Sequence, residues 1–140
     1  MRVVGIIIKD GKILLMHRFK KGREYWVFPG GGVEKRESVE EALIREIKEE
    51  TSFDVKIDKF LFKLENQFKK EYGGNVRGDQ VEQYFLINDF RGEMALGSPE
   101  KERMNENNQY HLEWVELSKI KEIPTLYPKG AVRKVLKLVK

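Results

Sequence analysis

The sequence predicts a mixed α/β sandwich, and three observations carry that reading. Aliphatic and β-branched runs of strand length recur along the chain; residues 38–50 carry apolar positions at helical spacing; and a second, basic amphipathic stretch lies at residues 129–139. The length, 140 residues, suits one domain spanning residues 1–140. Eight Phe, five Tyr and two Trp argue against disorder despite a charged share of 36%.

The elements follow in order. Val3–Ile8 and Lys12–Arg18 read as strands, and Asp10-Gly11 between them is a hairpin signal, because both central residues of a type I′ turn need positive φ. Residues 19–25 are polar and read as a loop. Trp26-Val27-Phe28 reads as a short strand, ended by Pro29-Gly30-Gly31-Gly32. Ser38 opens a helix: with Glu41 it fits a capping box, the hydroxyl reaching forward and the carboxylate back. Val39, Ala42, Leu43 and Ile47 form its apolar stripe through Glu50. Phe53–Leu64 and Val81–Ile87 read as strands, joined by a loop with Gly73, Gly74 and Gly78. Residues 91–109 read as a long polar loop, of the kind that often serves function. Tyr110–Leu117 reads as a strand and Lys129–Val139 as a basic helix.

Composition excludes several classes. The absence of cysteine rules out a disulfide framework, a thiolate metal site and a cysteine nucleophile. Two histidines, His17 and His111, leave little room for a multi-histidine zinc site. No apolar run reaches the roughly 18 residues of a membrane span, and the first residues are strand-like, unlike a signal peptide, so a cytoplasmic protein is the expectation. The net charge of +4 is unevenly spread: residues 34–50 hold seven acids and four bases, whereas residues 117–140 hold seven bases and one acid. Solvated helices account for such counts, but so does a cation site facing an anionic ligand.

The placement of the acids on the middle helix separates these readings. Glu46, Glu49 and Glu50 fall on one arc of about 100°. Val39, Ala42, Leu43 and Ile47 share that side, while Lys48 and Glu41 lie opposite. The three carboxylates are thus interleaved with the apolar stripe. Like charges at these spacings repel by about 0.2–0.5 kcal/mol per pair on an exposed helix, and carboxylates at the inner edge cost more unless something compensates them. A hard divalent cation does so, and Mg²⁺ favours carboxylate oxygens, waters and substrate phosphates. The glycine run before the helix lets main-chain amides approach a ligand, which makes Gly31 a candidate substrate contact. Arg18, ending a strand, is a candidate phosphate ligand.

This arrangement resembles the Nudix hydrolase family, MutT-like in character. The family signature reads G, five residues, E, seven residues, then R-E-U-x-E-E-x-G-U with U bulky and apolar. Here Gly31, Glu37, Arg45-Glu46-Ile47-Lys48-Glu49-Glu50 and Phe53 match, and Ser52 stands where the family has glycine. That position caps the helix, where glycine most easily turns left-handed, so a small stability cost and intact chemistry are expected. The resemblance implies a Nudix-type α/β/α sandwich with a mixed sheet. It also implies that Glu46, Glu49 and Glu50 are catalytic and bind Mg²⁺ or Mn²⁺, with Glu46 alternatively orienting or deprotonating the attacking water. Glu37 and Arg45 support the site structurally; Arg45 can fork onto Glu37, with Glu41 as the rival partner. A further acid often completes such sites: Glu82, Glu100, Glu102 and Glu106 are candidates, with Glu106 preferred as an additional metal ligand. His17 reads as packing or solvent-facing, and Lys69, Lys70 and Arg77 as a solvated basic loop.

The implied activity is Mg²⁺-dependent hydrolysis of the diphosphate linkage of a nucleoside diphosphate derivative, foremost a nucleoside triphosphate giving a monophosphate and pyrophosphate. A dinucleoside polyphosphate, a nucleotide sugar and capped RNA are the alternative substrates, and a silent nucleotide-binding module of the same fold is the alternative class. The expected partner is a small-molecule nucleotide, with no membrane and no nucleic-acid-binding motif, in a monomer or homodimer.

Overall fold

The computed structural model describes residues 1–65, 81–95 and 104–139. Glu100, Glu102, Lys69, Lys70, Arg77 and the glycines at 73, 74 and 78 lie outside them. Among the described residues eight strands form one mixed sheet: β1 (Arg2–Lys9), β2 (Lys12–Lys20), β3 (Arg23–Val27), β4 (Gly30–Gly32), β5 (Asp54–Glu65), β6 (Val81–Arg91), β7 (Asn108–Glu116) and β8 (Leu126–Tyr127). Two helices, α1 (Val39–Thr51) and α2 (Lys129–Leu138), and a short 3-10 helix (Leu117–Glu122) complete the described chain. No described helix is long and apolar enough to cross a membrane.

Strand β1 organises the sheet. It runs parallel to β6, from Arg2↔Glu82 to Ile7↔Ile87, turns into β2, and along its first residues pairs antiparallel with β4, Val3 opposite Gly31 and Val4 opposite Gly30. The strict two-residue alternation of β1 divides the core. Val3 and Ile7 pack with Ala42, Leu43 and Ile47 of α1, while Val4 and Ile6 pack with Ala131, Val132 and Val135 of α2. The two helices therefore cover opposite faces of the sheet, in α/β/α order. Gly5, between those β1 residues, leaves room for Ile47: an added Cβ would stand 3.1 Å from its Cδ1.

The expected loop at residues 19–25 is a β-hairpin instead. Strands β2 and β3 pair in register from Met16↔Val27 to Lys20↔Arg23, closed by Lys21 and Gly22 at φ of 50° and 78°. The turn chemistry is that of Asp10-Gly11, at φ of 51° and 74°. A lysine at the first position hid it, because lysine seldom adopts positive φ. The apolar run at Trp26 to Phe28 is likewise the end of a longer strand, and the glycines after Pro29 are an edge strand on β1. Strand β6 runs on to Arg91 and β7 starts at Asn108, which shortens the expected 91–109 loop at both ends.

Helix α1 begins and ends as its sequence dictates. The Glu41 N–H donates to Ser38 Oγ at 3.1 Å and the Ser38 N–H donates to Glu41 Oε1 at 3.0 Å, a complete capping box. At the other end Ser52 takes the left-handed conformation, φ 69°, and its N–H donates to Lys48 O. Its hydroxyl also donates to the Ala95 carbonyl at 2.8 Å, beside the bond from Ala95 N–H to Thr51 O. Serine therefore carries the cost of left-handed backbone but gains a tether to the segment after β6. Ser52→Gly should be close to neutral, since about 1 kcal/mol of backbone relief offsets a lost hydrogen bond of similar size. Ser52→Ala keeps the strain and loses the bond, and should melt several degrees below both. Thermal melts of the three proteins check this order.

Candidate active site

The site is assembled where β4 meets α1. Gly30 and Gly31 lie flat on β1, and each excludes a side chain for its own reason. A Cβ on Gly30 would stand 2.2 Å from the Val3 carbonyl oxygen, a backbone atom that cannot yield. A Cβ on Gly31 would stand 2.2 Å from the Glu46 carboxyl carbon. Gly31 is therefore the seat of Glu46, and any larger residue there displaces that carboxylate.

Glu50 is buried, 6% exposed, and accepts from the Gly30 N–H, whose nitrogen lies 3.2 and 3.4 Å from its two oxygens. A buried carboxylate is stable only with such donors or a cation beside it. Thr51, fully buried next to it, satisfies itself locally, its hydroxyl donating to Ile47 O at 2.7 Å and accepting from the Phe53 N–H. Glu46 and Glu49 are half-buried and share the Nη1 of Arg45, at 2.9 Å and 3.4 Å.

Arg45 binds the whole segment together. Its Nε and Nη2 donate to the two oxygens of Glu37 at 2.7 and 3.0 Å, a bidentate fork, and Nη2 also donates to the Gly32 carbonyl at 3.0 Å. Glu41, the rival partner, is engaged in the capping box. Glu37 in turn receives the Glu34 N–H at 2.9 Å. One guanidinium thus joins β4, the loop before α1, and two turns of α1. The bonds from Arg45, with the Glu34 N–H adding, hold the Glu37 carboxyl down at about 2 from the ordinary 4.5. Glu37 and then Glu46 push the Arg45 guanidinium higher still, against its partial burial.

Among the described residues no three acidic or histidine side chains converge as a ready-made metal cluster. The donor set nonetheless suits a hard cation: three carboxylates on one helix face beside an edge strand, one of them buried with the Gly30 amide donating to it. Arg45 stands in for part of the compensating charge. Glu106 belongs to another element. It lies in the turn before β7, lining a hollow with Phe19, Lys21, Glu24, Asn107 and Gln109. Helix α1 packs chiefly on β1, β4 and β5. Glu82, 4% exposed on β6, also stays apart: it pairs with Arg2 at 3.8 Å, accepts from Tyr84 OH, and faces the α2 side of the sheet. Arg18 sits on β2 with its guanidinium 4.1 Å from the Tyr110 ring centroid and its Nη2 donating to Asn108 Oδ1 at 2.9 Å. His17 stacks on Trp26 at 4.0 Å and bonds Glu24 through Nε2 at 2.8 Å, a packing role.

The NUDIX domain family profile matches residues 1–135. The chain belongs to the Nudix hydrolase family. It is 38% identical over 101 residues to an ADP-ribose pyrophosphatase of Methanocaldococcus jannaschii, covering 71% of this chain and 57% of that protein. It is 43% identical over 51 residues to an RNA pyrophosphohydrolase of Marinomonas sp., covering 36% of this chain and 32% of that one. The chain thus spans little more than half, or less, of these two Nudix relatives. The crystal structure of a MutT NUDIX hydrolase from Burkholderia pseudomallei superposes with a TM-score of 0.69 at 26% identity, over 99% of this chain and 96% of that one.

The depressed Glu37 carboxyl makes the site acid-sensitive in a defined direction. A folded value of about 2 against an ordinary 4.5 means that Glu37 stabilises the fold above about pH 4.5 and that this contribution fades as pH falls toward 2. Glu37→Gln should be less stable than wild type at neutral pH, and the difference should shrink across that window. Urea unfolding at pH 7, 4 and 3 measures it.

Proposed function

We propose that this Nudix enzyme hydrolyses the diphosphate bridge of a nucleoside diphosphate derivative in the cytoplasm, with Mg²⁺ or Mn²⁺ held by Glu46, Glu49 and Glu50. A nucleoside triphosphate is the smallest member of that substrate class. The observation that carries the reading is the seating of the three carboxylates by Gly30, Gly31 and Arg45, in an order that matches the family signature.

Each residue has a separate task. Glu50, fixed by the Gly30 amide, and Glu49, fixed by Arg45, present carboxylate oxygens along one side of α1. Glu46, pressed against Gly31, orients the attacking water and takes its proton. Gly31, lacking a side chain, lets the substrate's phosphates approach the backbone of β4. Arg18 offers guanidinium N–H groups to a phosphate. Arg45 and Glu37 act as positioning residues. A divalent cation at the carboxylates supplies Lewis-acid polarisation of phosphoryl oxygens and a lowered water pKa. Water attack at one phosphorus then breaks the bridging P–O bond and releases two phosphorylated products.

Loss of one carboxylate should cost far more activity than stability. Glu49→Gln and Glu50→Gln should each lower turnover by roughly 10²-fold or more, about 2.7 kcal/mol of transition-state stabilisation. A panel of nucleoside triphosphates, dinucleoside polyphosphates and nucleotide sugars with Mg²⁺, scored by released phosphate or pyrophosphate, measures both substrate and effect. Full activity in both variants at limiting Mg²⁺ contradicts the metal role.

A further inference from the structure

Glu49 and Glu50 sit on the last turn of α1. Helix ends fray, because their final carbonyls have no partner inside the helix. The carboxylates' own bonds hold that turn only loosely: Glu50 takes the Gly30 N–H at 3.2 and 3.4 Å, and Glu49 takes Arg45 Nη1 at 3.4 and 3.5 Å. Such lengths lie at the weak end for N–H···O bonds. The position of both carboxylates therefore depends on what fixes the backbone beneath them.

That backbone is clasped from outside the helix. Strand β6 ends at Arg91, and Gly92, at φ of 107°, turns the chain across the end of α1. The crossing is close: a Cβ on Gly92 would stand 3.2 Å from the Ser52 carbonyl oxygen. Three residues on, the Ala95 N–H donates to the Thr51 carbonyl at 2.9 Å, and the Ala95 carbonyl accepts from the Ser52 hydroxyl at 2.8 Å. Both lengths are those of well-formed bonds, and both meet the chain directly after Glu50. The first uses main-chain atoms, so any residue at position 52 permits it. The second needs a donor on the side chain at 52, where the family signature has a glycine that offers none. The neighbouring side chains connect elsewhere: Thr51 Oγ1 bonds Ile47 O and the Phe53 N–H, and Lys48 pairs with Asp54 at 3.1 Å. Ser52 bears a left-handed backbone, φ 69°, that glycine would adopt without cost. What that cost is set against is one contact at the root of the carboxylate turn.

We propose that Ser52 is a positioning residue for the cation site: through Ala95 it holds the last turn of α1 closed, and so keeps Glu49 and Glu50 at the spacing that one divalent cation accepts. The proposal rests on the reading of these carboxylates as metal ligands. Coupling between two equilibria is reciprocal, so a closed clasp that favours the cation is itself favoured by the cation. The Ala95 amide reports on this, because it exchanges with solvent only when the clasp opens. The Lys21 amide, bonded to the Asn107 carbonyl at 2.9 Å at the hairpin end, serves as the reference.

The test follows wild type, Ser52→Gly and Ser52→Ala by three measurements: Mn²⁺ affinity by calorimetry, amide exchange by NMR with and without saturating Mg²⁺, and melting temperature. In wild type Mg²⁺ should slow exchange of the Ala95 amide by about threefold or more and leave the Lys21 amide unchanged. Both variants should bind Mn²⁺ about two- to fivefold more weakly, fivefold being roughly what one neutral hydrogen bond transmits. Ser52→Gly should do so while melting with wild type, and Ser52→Ala while melting several degrees lower, so that affinity follows the hydroxyl and not the stability of the fold. A merely structural cap predicts wild-type affinity in Ser52→Gly and an Ala95 amide indifferent to Mg²⁺. Either result overturns the proposal and leaves the cation site standing. If wild type binds no Mn²⁺, the cation reading fails and the proposal falls with it.

Discussion

One guanidinium carries the local architecture. Arg45 donates to Glu37, to the Gly32 carbonyl, to Glu46 and to Glu49, and so ties an edge strand, a loop and a helix into one unit. Without it two half-buried carboxylates would face each other across a helical turn without the cation they share, and the loop ahead of α1 would lose its anchor. The pair with Glu37 is bidentate and mutually reinforcing, lowering the acid's pKa and raising the base's. Such a pair keeps both of its charges through neutral pH. Lysine could not replace it, since a single ammonium cannot bridge four acceptors in a fixed plane.

Around that hub the glycines act through what they exclude. Gly30 permits β4 to lie on β1, because its place is taken by the Val3 carbonyl. Gly31 permits Glu46 to lie on β4. The first is a requirement of the sheet and the second a requirement of the Glu46 side chain's position, although the two residues are adjacent and identical. Ser52 shows the opposite economy: a residue that strains the backbone is retained where its hydroxyl holds the segment after β6.

Much of this was legible in the sequence, and for local reasons. The capping box, the carboxylate arc and the Asp10-Gly11 turn depend on residues within one or two turns of each other, where spacing alone decides geometry. The Arg45–Glu37 fork was visible as one of two options, and only the loop's path chose between them. What stayed hidden depended on long-range pairing. The Lys21-Gly22 hairpin was masked by polar composition, and the clasp of Ser52 to Ala95 joins residues far apart in the chain. Glu106 was preferred as a ligand from its nearness in sequence to Trp114. In the fold it sits at the hairpin end, because the turn from Asn105 to Asn108 carries it there.

Whether the carboxylate face of α1 is a cation site can be measured without any substrate. Mn²⁺ binding to wild type and to Glu46→Gln/Glu50→Gln, followed by calorimetry and by melting temperature, addresses it directly. A site built from these residues predicts that Mn²⁺ at a hundredfold excess over its Kd stabilises wild type by about 2.7 kcal/mol, a rise of several degrees, and that the double variant gains little. Equal shifts in the two proteins, or no binding to wild type, would contradict it.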